Sequence, residues 1–508
     1  MLLRNYIDGE WGEAQSGEKT DIFNPATGEI LCQAVKSDRE DANLAIAAAK
    51  KSFYNTRDWR DMSATDRANI LFDVSDVMEN ELEEFAYIDC INQGKPLREA
   101  REDIIAAIEC FRYYAGLISK PYGGVYDVNS GSGEMHSYTI HEPIGVCGLI
   151  TPWNYPLLMA TWKLAPALAA GNSVVIKPAS VTPMSVAKLF EIFERKGIPA
   201  GAANLVMGSG AAVGATIAES HDVELVAFTG STSIGQGIGR TAMSNVKRVG
   251  LELGGKSPYV IFGDADLEST VEWAMFGIFF NQGEVCSATS RILIEESFHD
   301  EFTERFLERT NALSIGDPLQ DPDIGAVVSE EQMNTVLQYI ENAKSEGAKC
   351  LCGGERYTKN ECSEGFFIRP TIFDQCTSDM TIVKEEVFGP VVTVQTFKTE
   401  AEAIEMANDT PFGLGAAVST QNIARAIRVI KEIRAGNTWI NCSQPTFNEA
   451  PWGGYKMSGI GRELGVHGLE EYQEIKQINI NLSESPLGWY QNKENKKNDA
   501  TTVNREVL

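Results

Sequence analysis

The chain has 508 residues, of which 43% are hydrophobic and 23% charged, a composition typical of a globular protein with two or three cooperating domains. The 71 acidic side chains outnumber the 44 basic ones and give a net charge of −27, which would repel nucleic acid phosphates and anionic membrane surfaces. We therefore expect a small-molecule ligand, with neither nucleic acid nor membrane as a partner.

Neither end of the chain nor its cysteines indicate secretion. The N-terminus MLLRNYIDGEWGE lacks the basic region and apolar run of a secretory signal, and the most apolar stretch, 157–170, is interrupted by a lysine and a proline. The sequence thus predicts no membrane span and a cytoplasmic protein. The group Cys350, Cys352 and Cys362 has CxC spacing without a neighbouring His, so we expect structural cysteines and no metal site.

From residue 145, short β-rich runs alternate with amphipathic stretches, which indicates parallel strands joined by helical crossovers. A first half, ending near Gly254, contains predicted strands at 145–152, 172–178, 203–208, 223–230 and 247–255, with helices at 156–170, 183–197 and from Ser231. A second half contains a helix around 266–280 and strands at 257–262, 290–297, 391–397, 413–420 and 437–442.

The predicted fold class is therefore α/β, with two Rossmann-like wound parallel-sheet domains and a cleft between them. Residues 121–141 break the alternation with a turn-rich run followed by a hairpin-like strand, which is typical of a small β arm that mediates oligomerisation. The polar C-terminus is too poor in apolar residues to pack. We predict a dinucleotide-binding domain at 1–120 and 142–253, a catalytic domain at 254–450, the arm at 121–141 and 470–488, and a flexible tail at 489–508.

No complete GxGxxG fingerprint is present, and the runs 208–214 and 230–239 are near misses that could be simple turns. However, FTGSTSIG at 228–235 follows a predicted strand and opens a helix, where free backbone N–H groups and the helix dipole can hold a phosphate. A phosphate-bearing cofactor is therefore favoured over a plain turn.

Seven ordered motifs cover nearly the whole chain, namely ITPWNYP at 150–156, VIKPAS at 175–180, FTGSTSIG at 228–235, LELGGKSP at 251–258, NQGEVCSATSR at 281–291, EEVFGPV at 385–391 and PWGGYKMSGIGRELG at 451–465. In order and spacing they resemble the aldehyde dehydrogenase superfamily. The runs 276–291 and 441–456 are more particular and resemble the betaine aldehyde and aminoaldehyde dehydrogenases. The resemblance implies NAD(P)+-dependent oxidation of an aldehyde to its carboxylate.

Cys286 is the expected nucleophile, because a thiolate can add to an aldehyde and form a thiohemiacetal that becomes a thioester after hydride loss. The resemblance assigns the oxyanion donors to the side-chain amide of Asn154 and the backbone N–H of Cys286. A base must activate the water that hydrolyses the thioester, and since no histidine lies in a motif, a carboxylate is expected. Glu252 matches the family base, and Glu463 matches a carboxylate that serves either proton relay or a structural salt bridge.

For the cofactor, the resemblance implies that Lys177 holds the adenosine ribose, Glu386 the nicotinamide ribose, and Phe388 lines the nicotinamide site. NAD-selective relatives commonly carry Glu at the position of Ser180, where a carboxylate would repel a 2′-phosphate. We therefore expect NAD+ as cofactor, with measurable use of NADP+. The other expected cofactor-binding residues are Ile150, Thr151, Pro152, Trp153, Gly210, Phe228, Gly230, Ser231, Ile234, Leu253 and Gly254.

An aromatic box is implied at the substrate end, where rings would attract a trimethylammonium group. Ile105 and Ala106 stand where relatives often place carboxylates that attract a substrate amine, and Asn437 stands where small or aliphatic residues are usual. A cationic substrate would then be attracted by the aromatic rings and by the net negative charge of the protein. Betaine aldehyde is the first choice of substrate, with aminoaldehydes or simple aliphatic aldehydes as alternatives. The box residues are Tyr155, Trp162, Phe280 and Trp452.

Three other functions remain open on these motifs. A silent binding protein could keep this fold, but Cys286, Glu252 and Asn154 are all present. A cysteine esterase would use only the thioester half of the cycle, and an acyl transfer to coenzyme A would not need Glu252 as a base. We expect a homodimer or homotetramer acting on a small aldehyde.

Overall fold

A computed structural model describes residues 1–120, 123–128, 134–487 and 489–490. The chain divides into two units, one made of Met1–Lys120 and Pro143–Gln473 and the other of Pro121–Glu142 and Glu474–Leu508. The predicted flexible tail lies outside the described residues except for 489–490, as do the turn residues 121–122 and 129–133 of the predicted arm. Within the described ranges, no helix is both long and apolar enough to cross a membrane.

The helices predicted at 156–170, 183–197, from Ser231 and around 266–280 are present within two residues of those bounds, and no bounds are predicted for the other helices. In chain order the helices are α1 Arg39–Lys51, α2 Ala64–Asn80, α3 Leu82–Gln93, α4 Leu97–Ile118, α5 Pro156–Ala170, α6 Met184–Arg195, α7 Ala215–Glu219, α8 Thr232–Ala242, α9 Leu267–Phe279, α10 His299–Asn311, α11 Glu330–Glu346, α12 Thr381–Lys384, α13 Glu400–Asn408, α14 Ile423–Glu432 and α15 Gly465–Glu470.

The strands are short, and most of those predicted from residue 145 onward are present within one or two residues of each end. In chain order they are β1 Leu2–Leu3, β2 Asn5–Ile7, β3 Glu10–Gly12, β4 Lys19–Phe23, β5 Ile30–Val35, β6 Val125–Tyr126, β7 Met135–Pro143, β8 Val146–Ile150, β9 Ser173–Lys177, β10 Ala203–Leu205, β11 Leu225–Thr229, β12 Arg248–Glu252, β13 Pro258–Ile261, β14 Arg291–Glu295, β15 Lys349–Cys352, β16 Thr371–Asp374, β17 Val391–Phe397, β18 Gly415–Ser419, β19 Asn437–Ile440, β20 Gly459–Ile460 and β21 Gln473–Asn481.

The first large sheet has the strand order β20-β12-β11-β8-β9-β10-β2-β3. Its central strands, from β12 to β10, are all parallel, and antiparallel strands stand at both edges. The second large sheet has the order β15-β16-β17-β14-β13-β18-β19 and is parallel except for the edge strand β15. The predicted α/β fold with two wound parallel sheets is confirmed. Strands β1, β5 and β4 form a small separate sheet.

Helix α5 is buried against the first sheet, near the strand ends at which the predicted site residues lie. Every residue of α5 is buried, Pro156 stands at its first position, and Gly171 ends it with a left-handed φ of +94° that a residue with a Cβ would resist. Helix α5 packs on β8 and β9, whose residues are also buried. The carboxyl ends of parallel strands meet at one edge of a sheet, so the chain just beyond β8, β11 and β12 gathers there.

The second unit contains β6, β7 and β21, which form a sheet in the order β21-β7-β6. The strand predicted at the end of the arm is β7, and the C-terminal part of the arm is β21. Whether this sheet mediates oligomerisation, and how the first unit divides into dinucleotide-binding and catalytic domains, stay predictions.

Candidate active site

A cleft of about 1050 Å³ brings Cys286, Glu252 and Glu463 together. Glu252 is the last residue of β12 in the first sheet, whereas Cys286 lies between α9 and β14 of the second. Asn154 does not line the cleft itself but lies in the loop between β8 and α5, directly before the lining residue Tyr155. Residues far apart in the sequence, from both large sheets, therefore contribute to one site.

The segment that carries Cys286 has an unusual backbone. A short turn at 280–283 follows α9, and in it Asn281 and Gln282 adopt left-handed φ values of +49° and +55°. The buried carboxylate of Glu284 accepts hydrogen bonds from Gln93 Nε2 (2.7 Å) and from the backbone N–H of Val328 (3.0 Å). These anchors hold the turn in a conformation that an isolated peptide would rarely adopt.

Asn154 is joined to the segment 281–284 by one hydrogen bond from its side chain and one to its backbone carbonyl. Its Nδ2 donates to the carbonyl oxygen of Glu284 (2.8 Å), while Asn281 Nδ2 donates to the carbonyl oxygen of Asn154 (3.0 Å). Lys95 Nζ donates to the same carbonyl oxygen of Asn154 (3.0 Å). Because a primary amide nitrogen carries two hydrogens, the Asn154 amide retains one that can serve an oxyanion.

The thiol of Cys286 is held in its protonated form. Burial raises the pKa of Cys286 above its usual range, and the carboxylates of Glu252 and Glu386 raise it further because a second negative charge nearby is unfavourable. The thiol can therefore act as a nucleophile only when its proton is taken away.

Glu252 is suited to accept a proton. It is buried, and neither of its carboxylate oxygens has a hydrogen-bond partner among the residues that the structure describes. Burial, followed by the nearby charge of Glu463, raises the pKa of Glu252 well above its usual range, while Lys163 acts in the opposite direction. A carboxylate with a raised pKa is a stronger base than one in water.

Glu463 forms an ion pair with Lys163, whose ammonium is completely buried and also donates to Thr229 Oγ1 (2.6 Å). The second oxygen of Glu463 has no hydrogen-bond partner in the described part of the chain. The salt bridge expected as one of the two roles of Glu463 is thus present. The free oxygen leaves the proton-relay role open as well.

All four predicted aromatic residues line the cleft, and further rings join them. Trp162 and Trp452 meet edge to face with ring centroids 5.7 Å apart, and Phe276 lies 4.8 Å from Phe280. Sequence reasoning missed four of the lining aromatic residues, although the spacing of three and four residues on α9 places two of them on one helix face with Phe280. These four are Tyr113, Trp273, Phe276 and Phe447.

The cleft is also lined by carboxylates that the sequence analysis did not anticipate. Glu102 and Glu109 lie one turn on either side of Ala106 on α4 and face the same cleft. These carboxylates add a local source of negative charge to the rings and the general field, and which of them attracts a substrate stays a prediction. A helical reading of positions 102, 106, 109 and 113 would have found them. Three more carboxylates line the cleft: Asp103, Glu272 and Glu449.

Two of the residues that differ from those usual in relatives, Ile105 and Asn437, do not line the cleft. Among the described residues that line it, Ala106 is present but Ile105 and Asn437 are not. The amide of Asn437 instead donates to the carbonyl oxygens of Leu414 (3.0 Å) and Gly453 (3.2 Å), next to Trp452. Asn437 therefore supports the chain beneath the aromatic wall.

On the predicted cofactor side, Lys177 and Ser180 share one partner. Lys177 Nζ donates to the carbonyl oxygens of Pro178 (2.6 Å) and Gly208 (3.2 Å), and Ser180 Oγ donates to Gly208 (2.9 Å). Burial lowers the pKa of Lys177 to about 8. A ligand with hydroxyl groups could replace these carbonyl contacts.

Glu386 lies against the backbone of Gly254 and Gly255, where it accepts a hydrogen bond from the N–H of Gly255 (3.0 Å). A Cβ at Gly254 would come within 2.2 Å of the Glu386 carboxylate, so Glu386 occupies this position only because residue 254 is glycine. Burial raises the pKa of Glu386 to about 7. Close by in the sequence, Phe388 has a left-handed φ of +58° and meets Trp153 edge to face at 5.1 Å.

Most of the remaining predicted cofactor residues lie near the carboxyl ends of strands in the first sheet. The hydroxyl of Thr151 is buried and, among described residues, has no hydrogen-bond partner. Ser231 immediately precedes α8, so the N-terminal end of α8 is free to meet an anion. The others lie at the carboxyl ends of strands in the first sheet, in α8 or at the start of the turn 210–214: Ile150, Pro152, Phe228, Gly230, Leu253, Ile234 and Gly210.

Cys350 and Cys352 lie on the edge strand β15. Throughout the ranges described above, no three His, Cys, Asp or Glu side chains converge in a way that could hold a metal ion. The cysteine group therefore adds no candidate site.

Comparison with known proteins agrees with this geometry. The profile of the aldehyde dehydrogenase family matches residues 11–478. Betaine aldehyde dehydrogenase of Bacillus subtilis is 45% identical over 96% of this chain and 99% of its own length, and aminoaldehyde dehydrogenase 2 of Pisum sativum is 45% identical over 96% and 97%. A crystal structure of betaine aldehyde dehydrogenase from Staphylococcus aureus in complex with NAD+ superposes with a TM-score of 0.94 at 41% identity, covering 96% of this chain and 97% of that one.

Changing Glu252 to Gln should make the Cys286 thiol more reactive at a given pH. The negative charge of Glu252 raises the thiol pKa, so its removal lets the thiolate form at lower pH. Alkylation of Cys286 by iodoacetamide, followed by peptide mass spectrometry from pH 6 to 10, should shift to lower pH. Glu109→Gln, in the same cleft, is the control, and an unshifted Glu252→Gln profile would contradict the electrostatic coupling.

Proposed function

The chain belongs to the aldehyde dehydrogenase family, and on that premise we propose that it oxidises betaine aldehyde to glycine betaine with NAD+ as the hydride acceptor. The family resemblance drawn from the motifs is confirmed, and the chain is an NAD(P)-dependent aldehyde dehydrogenase. The observation that carries the substrate proposal is that a thiol, a base and a wall of aromatic rings line one cleft. The relatives named betaine aldehyde dehydrogenase support it.

Cys286 is the proposed nucleophile. Its sulfur forms a bond to the aldehyde carbon after its proton passes to a base, and the carbonyl oxygen becomes an oxyanion. The free hydrogen of the Asn154 amide and the backbone N–H of Cys286 are the donors proposed to stabilise that charge. Asn154 is held for this role by its bonds to the turn at 281–284.

Glu252 is the proposed base in the second half of the cycle. It removes a proton from water, whose oxygen bonds to the thioester carbon while the carbon–sulfur bond breaks and releases the carboxylate and Cys286. Glu463, with one oxygen on Lys163 and the other free, is proposed to pass the proton on from Glu252. Each turnover therefore consumes one water and releases two protons.

The residues present fit a nicotinamide dinucleotide. The unpartnered hydroxyl of Thr151 and the accessible start of α8 are features that a dinucleotide would fill. Lys177 and Glu386 are proposed to hold its two riboses, and Trp153 and Phe388 to enclose its nicotinamide end. When bound, NAD+ supplies the acceptor for the hydride that leaves the substrate carbon.

The aromatic wall and the carboxylates suit a cationic aldehyde. Rings hold a trimethylammonium group by cation–π attraction, which strengthens when water is excluded. Aminoaldehydes are the second candidate, because Glu102 and Glu109 can pair with a primary ammonium group at the same cleft. Both candidates share the recognition of a positive charge next to an aldehyde.

We also propose a cytoplasmic homodimer or homotetramer in which the sheet of β6, β7 and β21 contributes to the interface. Four large hydrophobic side chains on these strands are exposed, Val125 at 75%, Tyr126 at 51%, Ile475 at 66% and Ile480 at 42%. Exposed apolar side chains on one small sheet are typical of an interaction surface.

Glu252→Gln should slow hydrolysis of the thioester more than its formation. The first turnover would then produce a burst of reduced cofactor of up to one equivalent per active site, followed by a slow steady rate, and an acylated Cys286 should be visible by mass spectrometry. Cys286→Ser is the control that should show neither burst nor acylation. A Glu252→Gln variant with the wild-type steady rate would remove Glu252 from the proposed role.

Betaine aldehyde should be preferred over its neutral isostere 3,3-dimethylbutanal. A desolvated cation–π attraction of about 2 kcal/mol corresponds to a ratio of kcat/KM of about 30. Trp452→Leu should reduce this ratio, whereas the same change at the exposed Trp489 should not. A ratio near one for the wild type would contradict the aromatic box, and a higher kcat/KM for 4-aminobutanal than for betaine aldehyde would favour the second candidate.

The wild type should use NADP+ as well as NAD+, and Ser180→Glu should abolish most of the NADP+ activity. A carboxylate at this position would repel the 2′-phosphate but could accept hydrogen bonds from the ribose hydroxyls of NAD+. Initial rates with both cofactors would measure the change. Ser180→Ala, which removes the hydroxyl without adding charge, is the control, and a Ser180→Glu variant with its full NADP+ rate would overturn the interpretation.

A further inference from the structure

Ser287, the residue after Cys286, forms two hydrogen bonds with the side chain of Gln444, which lies in a loop distant in the sequence. Ser287 Oγ donates to Gln444 Oε1 (2.6 Å), and Gln444 Nε2 donates back to the carbonyl oxygen of Ser287 (3.0 Å). Two reciprocal hydrogen bonds between the same two residues fix both the side chain and the backbone of Ser287. Ser287 is 1% exposed, so water cannot easily replace them.

The loop that carries Gln444 is itself held in an uncommon conformation. Gln444 has a left-handed φ of +82°, outside the region that a residue with a side chain prefers. Trp439 Nε1 donates to the carbonyl oxygen of Pro445 (2.9 Å), and Gln444 Nε2 also donates to Ser443 Oγ (3.1 Å). The backbone just after Gln444 is thus held through Pro445, and the Gln444 amide is oriented by Ser443.

The same loop forms part of the substrate wall. Gln444, Phe447 and Glu449 line the cleft together with Cys286 and Ser287. The side chain of Gln444 therefore links the wall that would contact the body of the substrate to Ser287. Ser287 directly follows Cys286, whose sulfur is the proposed nucleophile.

We propose that Gln444 is a positioning residue that sets the direction of the Cys286 thiol by fixing Ser287. The inference rests on the proposed role of Cys286 as nucleophile. Ser287 and Cys286 share a peptide bond, so a rotation of Ser287 turns the Cys286 carbonyl and redirects Sγ. A small misplacement of a reacting group is enough to reduce a rate strongly.

The test compares Gln444→Leu, Ser287→Ala and the double variant, with Gln338→Leu on the exposed face of α11 as the control for the same chemical change. Gln444→Leu should reduce kcat about tenfold while KM for the aldehyde changes less than about threefold, because positioning of the nucleophile is lost while the aromatic rings of the substrate wall remain. Ser287→Thr, which keeps the hydroxyl, should stay near the wild type.

Alkylation of Cys286 by iodoacetamide provides a readout without substrate or cofactor. The rate constant of alkylation should change at least about threefold in Gln444→Leu and in Ser287→Ala. The double variant should resemble Gln444→Leu, because each single change disrupts the same hydrogen-bonded pair. A purely structural role for Gln444 would lower Tm without changing the alkylation rate of the folded protein.

The proposal is overturned if Gln444→Leu keeps kcat and the alkylation rate within twofold of the wild type, or if only KM rises. Should Gln444→Leu fail to fold, the kcat and alkylation rate of Ser287→Ala decide by the same criteria. Cys286→Ser distinguishes a failure of the proposed function from a failure of the positioning role of Gln444. If it retains dehydrogenase activity the proposed function fails, whereas an inactive Cys286→Ser beside an unaffected Gln444→Leu removes only the positioning role.

Discussion

The reciprocal bonds between Asn154 and the turn at 281–284 are the constraint on which the site depends. Asn154 follows a strand of the first sheet, and the turn precedes a strand of the second, so these bonds join the two sheets where both present their chemistry. Each partner is buried, and a buried amide or carbonyl left unpaired costs about 1–3 kcal/mol. The network therefore holds the proposed oxyanion donor and the nucleophile segment in one arrangement.

The same region concentrates buried ionisable groups to a degree that a purely structural core would avoid. Burial raises the pKa of Glu99 to about 8, and it raises the pKa of Glu284, Glu252 and Cys286 above their usual ranges. Lys95 and Lys163 are the buried ammonium groups beside them. A raised pKa brings a carboxyl group such as Glu252 closer to neutral pH, where it can exchange protons, whereas the raised pKa of the Cys286 thiol means that its proton must be taken up by a base.

The charges at the substrate side show how local and global electrostatics combine. The chain carries a net charge of −27, and the carboxylates of Glu102 and Glu109 bring that sign to the cleft itself. A cationic aldehyde would gain from both, and the aromatic rings would add a contact that needs no counter-charge. The product glycine betaine keeps the cation but gains a carboxylate, so its attraction to the negative field is weaker than that of the aldehyde.

The sequence alone determined the alternation of strands and helices, because buried parallel strands and amphipathic helices differ in hydrophobic period and are punctuated by glycine and proline. Its motifs also identified Cys286, Glu252 and Asn154 as candidates, since these residue types are the ones that the chemistry needs. On α4, the sequence analysis considered Ile105 and Ala106 but did not single out Glu102 and Glu109. It also did not single out Gln444 within the run 441–456.

What the tertiary structure decided is which residues meet. The pairs Asn154 with Glu284, Lys163 with Glu463, and Gln444 with Ser287 are separated by 130, 300 and 157 positions in the chain. Such contacts depend on how the sheets and loops pack in three dimensions, and no local period or spacing encodes them. The raised pKa values follow from the same packing, because burial and neighbouring charge exist only once the chain is folded.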